Sequence, residues 1–193
     1  MKNGIMRLLI LAIFVAAGLQ AFGATKEQIT AAAKNPALIK ELIAGKTAVE
    51  AADIVSAVLK EAILLGGTAA EVKEAVAKIA AASIASAGDN AEAVAYALVT
   101  AGGSQYTEVV VAAISLAIGT ASNAAEVKKA AVAAAGAADR TIARNAANNP
   151  VGVLGDTLSG SIVTLVNTLT GGSLSVPGGN NIPPDSSKKY QGQ

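Results

Sequence analysis

The sequence predicts an all-α protein: a compact bundle or short solenoid of alanine-rich helical hairpins, followed by a disordered C-terminal tail. Three observations carry that expectation. Alanine is dense over 24–147 and absent from 151–193, and alanine is the strongest intrinsic helix former, with the accompanying Leu, Glu and Lys close behind. A side-chain oxygen followed three residues later by Glu or Gln recurs along the body, and this is how a helix start satisfies its own orphan amides. Apolar residues return at spacings of three and four, the period of a half-buried helix.

The first element, 1–23, reads as an address. Lys2 and Arg7 stand at the start, 8–18 is an uninterrupted apolar run, and Ala21-Phe22-Gly23 places small residues at the −3 and −1 positions before Ala24. These are the parts of a secretory signal peptide. The run is shorter than the roughly 20 residues that a bilayer span needs, which favours cleavage over anchoring. The expected mature protein is exported, to the periplasm or the outside of a bacterium.

Helix starts follow in order. Thr25 with Gln28, Thr47 with Glu50, Thr68 with Glu71, Asp89 with Glu92 and Asn123 with Glu126 have capping-box spacing. Asn35-Pro36 adds a start, because proline fits the first helical position. Glycines at 45, 66–67, 88, 102–103 and 119 supply the stops. Helices are therefore expected at 26–34, 36–44, 48–65, 69–87, 90–101, 105–118 and 124–147. In 48–65, Ala51, Val55, Val58, Ala62 and Leu65 form an apolar stripe; in 69–87, Val72, Val76, Ile79 and Ser83 do so.

The body 24–149 also carries the marks of an internal repeat. Ala69-Ala70-Glu71-Val72-Lys73 returns 55 residues later as Ala124-Ala125-Glu126-Val127-Lys128, and 53–63 aligns with 108–118. Residues 48–102 and 103–157 would be the two copies, and such periods typify helical arrays. Where they differ, Ser56, Lys60 and Glu61 become Val111, Ser115 and Leu116, so 105–118 is apolar almost all round. Such a helix is the buried centre of a bundle, a surface that faces a partner, or a membrane segment. Val111, Ser115 and Leu116 are thus the candidate partner interface, for a second copy or another exported protein.

In 150–170, Leu154, Leu158, Ile162, Leu165 and Leu169 form a helical stripe. It is expected to pack back on the body; the alternative is a membrane-surface anchor, although the polar face lacks the Lys and Arg that such anchors carry. Residues 171–193, rich in Gly, Pro, Asn and Ser, read as a disordered tail.

Composition removes most chemistry. The chain has no Cys, His or Trp, which excludes disulfides, thiolate nucleophiles, His-ligated metals and Ser-His-Asp triads. With 15 Lys+Arg against 14 Asp+Glu it has no overall charge to attract nucleic acid, and three tyrosines make no stacking platform. No phosphate-binding glycine motif occurs. The carboxylate pairs Glu50/Asp53 and Glu71/Glu74 fall in first helical turns, where the macrodipole favours negative charge. Lys73 and Lys78 are expected as solvated partners of Glu74 and Glu71. No catalytic residue, cofactor or metal site is expected. The expectation is an exported non-enzymatic structural or protein-interaction protein, with a membrane-active peripheral or pore-forming protein as the alternative.

Overall fold

The computed structural model describes residues 23–119 and 121–175, and no strand occurs among them. Residues 1–22 and 176–193, where the expected signal peptide and most of the expected tail fall, lie outside the described residues. In chain order the elements are α1 (Lys26–Lys34), a 3-10 turn (Pro36–Leu38), α2 (Ile39–Ile43), α3 (Ala48–Leu65), α4 (Ala69–Ala87), a second 3-10 turn (Gly88–Asn90), α5 (Ala91–Ile118), α6 (Ala124–Ala134), α7 (Arg140–Asn148), α8 (Pro150–Leu154) and α9 (Asp156–Thr170).

Local chemistry sets the first boundaries. Thr25, Thr47 and Thr68 hold extended backbone, and each closes a complete capping box. At Thr47 the amide donates to Glu50 Oε2 at 2.9 Å, while the Glu50 amide donates to Thr47 Oγ1 at 3.3 Å. The expected boxes at Asp89 and Asn123 do not form. Asn90 and Asn123 precede their helices with ψ near zero, and neither side chain caps. A cap needs extended backbone to turn its oxygen onto the helix end. Asn90 instead donates to the Lys46 carbonyl at 3.0 Å.

Two expected helices are broken. The stretch 124–147 divides into α6 and α7, with Gly136 in the connection, and 151–170 divides at Gly155. The expected break between 90–101 and 105–118 is present: Gly103, with φ 60° and ψ −174°, is non-helical and divides α5 into two limbs.

The kinked helix organises everything else. α5 packs against α3, α4, α6, α7, α8 and α9, and every residue over 109–118 is buried. The amphipathic stripes of α3 and α4 face it: Val55, Val58, Val76 and Ile79 have no exposed surface. Leu65, expected in the α3 stripe, lies at the helix end and is exposed. α9 lies along α4 and buries Ile162, Val166 and Leu169. Polar ties pin the periphery: Thr30 donates to Glu61 at 2.8 Å, and Lys40 Nζ donates to the Leu169 carbonyl at 2.7 Å. Residues 171–175, expected within the disordered tail, are instead held against the body. Asn167 Oδ1 accepts from the Leu174 amide at 2.6 Å, and Asn167 Nδ2 donates to the Leu174 carbonyl at 3.0 Å, which docks Leu174 against the core.

Only glycine adopts the Gly103 conformation without strain. Gly103→Ala should cost about 1–3 kcal/mol, read by urea unfolding. An unchanged midpoint would mean that the kink does not depend on this residue.

The capping boxes also make stability depend on pH. The Thr47 amide and then its hydroxyl hold Glu50 below the ordinary value of 4.5, and Thr68 does the same for Glu71. A depressed carboxyl contributes stability above its unfolded value, and that contribution is lost as pH falls through the folded value. The wild type should therefore lose more Tm between pH 6 and pH 3 than the Glu50→Gln/Glu71→Gln variant, followed by circular dichroism. Equal losses would remove the caps as the cause.

Candidate functional site

Val111, Ser115 and Leu116 all lie inside the chain, with 0%, 4% and 3% exposure. In this fold they offer nothing to a partner, which corrects their assignment as an interface. The reason is topological: α5 has neighbours on every side, so the residues that distinguish it from its proposed repeat α3 are those that let it be surrounded. α3 is peripheral, and there Lys60 remains exposed. The Ser115 hydroxyl is buried with no hydrogen-bond partner, as are those of Ser83 and Ser159. The apolar stripe of 150–170 is likewise turned inward, with Leu154 and Ile162 buried. No helix among the described residues is long and apolar enough to cross a membrane.

The groups available for chemistry are dispersed. Glu27, Glu50 and Glu71 sit at helix starts, and Glu74 pairs with Lys78 at 2.6 Å. Lys73, expected as a partner for these acids, donates to the Val153 carbonyl at 3.2 Å instead. Among the described residues no three Asp or Glu side chains gather as a metal site would require.

Cations, in contrast, converge. The connection at Gly136 folds α7 back beside α6, and a groove opens between them. One part, of about 400 Å³, is lined by Lys129, Val132, Ala133, Arg140 and Arg144. It continues into a second part of about 220 Å³, where Lys128, Ala147 and Asn148 join the lining. Helical spacing explains the arrangement: Arg140 and Arg144 stand one turn apart on α7, on the same face as buried Ala143 and Ala147, while Lys128 and Val132 stand one turn apart on α6. Lys129, Arg140 and Arg144 are exposed, and Lys128 is half-buried. None of the four forms an ion pair among the described residues, where Lys78–Glu74 is the one such pair. Over 128–144 the only acid is Asp139, which does not line the groove. Two of the chain's three arginines stand here.

Sequence reasoning missed this groove. Lys128-Lys129 and the Arg140/Arg144 spacing were visible, but a continuous helix over 124–147 would set residues 128 and 144 about 24 Å apart at 1.5 Å per residue. No protein-family model matches the chain, and no curated protein or solved structure matches it either.

Burial of α5 reverses the meaning of charge substitutions there. Val111→Lys and Leu116→Lys should each destabilise the fold by about 3–5 kcal/mol, the cost of an unpaired buried charge. Ser115→Ala should stabilise it by about 1 kcal/mol by removing a hydroxyl without a partner. Thermal unfolding measures both; lysine variants that melt like the wild type would return these positions to the surface.

Proposed function

We propose that the chain is an exported, non-enzymatic interaction protein that works by surface contact at the α6–α7 groove. The observation that carries this reading is the set of four cations lining one groove, with no acid among the lining residues. Like charges one helical turn apart repel, so Arg140 and Arg144 cost the folded chain something that an external anion would offset. Several charged groups elsewhere serve the fold itself: Glu50 and Glu71 cap helices, Glu74 binds Lys78, and Lys40 meets the C-terminal end of α9. Residues 1–23 support export, and Ala24, the residue expected after cleavage, already belongs to the buried core.

Two measurements test the two halves. Expression of the whole chain in a bacterium, followed by N-terminal sequencing of the exported form, should give a chain beginning at Ala24; material retained in the cytoplasm with its leader intact would overturn the export reading. Sedimentation of the exported chain with cell-envelope material in low salt should fall at least about tenfold in the Arg140→Glu/Arg144→Glu variant, whose substituted positions are exposed. Equal sedimentation of variant and wild type would remove the groove as the contact surface.

A further inference from the structure

We propose that the α6–α7 groove docks the protein onto an anionic phospholipid surface. This rests on the contact reading above and names the chemistry of what is contacted. The groove joins two features: cationic side chains that reach solvent from both helices, and an apolar lining of Val132, Ala133 and Ala147. Lys and Arg stems lie along apolar surface while their heads reach outward, which suits the boundary between acyl chains and phosphate headgroups.

Magnitude separates a lipid surface from a small anion. Exposed ion pairs are individually weak, so a single solvated phosphate in an open groove has little to gain. A surface dense in anionic headgroups engages all four cations at once, at about fivefold in affinity for each Lys or Arg brought close, or roughly 600-fold together. Arginine adds a planar fork that meets two phosphate oxygens, and Arg140 and Arg144 are both placed to use it. Nucleic acid is a poorer occupant, because the groove has no aromatic side chain on which a base could stack.

The test is co-sedimentation of the exported chain with phosphatidylcholine vesicles, with and without about one third phosphatidylglycerol. The wild type should bind the anionic vesicles at least about tenfold more tightly than the neutral ones and lose that preference at several times physiological ionic strength. Arg140→Glu/Arg144→Glu, and independently Lys128→Gln/Lys129→Gln, should each reduce anionic binding at least about tenfold. Unchanged melting would show that the variants are folded. Equal binding to both vesicles, or variants that bind like the wild type, would overturn the proposal. So would displacement by micromolar inorganic pyrophosphate, which marks a discrete anion site, or groove-dependent self-association in light scattering without vesicle binding. If the envelope sedimentation depends on the groove while pure vesicles do not bind, the contact reading stands and the lipid assignment falls.

Discussion

A helix that is apolar on every side must be surrounded, and the rest of this fold is arranged to do so. Over 109–118 the second limb of α5 leaves no residue exposed, and six other helices contact the kinked element. Enclosing it requires helix axes to approach closely, which explains the alanine: Ala51, Ala77, Ala80, Ala81 and Ala112 are completely buried and add little thickness at an interface. Gly102 and Gly103 complete the arrangement. A Cβ on Gly102 would meet Val110 Cγ2 at 3.3 Å and Tyr106 Cβ at 3.4 Å, while Gly103 turns the chain between the limbs. A long apolar segment thereby becomes two shorter limbs that the surrounding helices cover.

Charge is distributed on a different principle. The bulk value is close to zero, yet the described fold has one paired lysine and one groove lined by four cations and no acid. Net charge, a sum over the chain, says little about a groove only two helices wide. Folding can collect like charges that the chain keeps apart, and the turn at Gly136 does this for Lys128, Lys129, Arg140 and Arg144.

Much of the helical plan was legible, because its signals are local. The Thr25, Thr47 and Thr68 boxes involve residues three apart, and α1, α3 and α4 span the expected residues. Where backbone geometry decided, side-chain identity was insufficient: Asp89 and Asn123 have the right chemistry for a cap but sit on or beside backbone that cannot direct it. Gly136 was submerged in alanine, and without that break neither α7 nor the groove could be foreseen. Val111, Ser115 and Leu116 were correctly picked as unusual, but apolarity all round does not tell a chain's own helices from another's. That distinction lies in tertiary packing, as does the clasp of Asn167 on Leu174.

An interior lined so largely by one small side chain has a further consequence. Neighbouring alanines are nearly interchangeable in volume, so a helix could be screwed along its groove by a turn and meet almost the same surface again. Register must then come from the few bulky side chains, which act as detents: Leu59, Ile79, Leu98, Ile114 and Ile162 are fully enclosed and fit at one setting. Uniqueness of the native state is thus concentrated in a handful of residues, whereas bulk cohesion is spread over dozens. Trimming a detent would leave the chain helical and compact yet free to slide among several alignments, a failure of specification rather than of collapse.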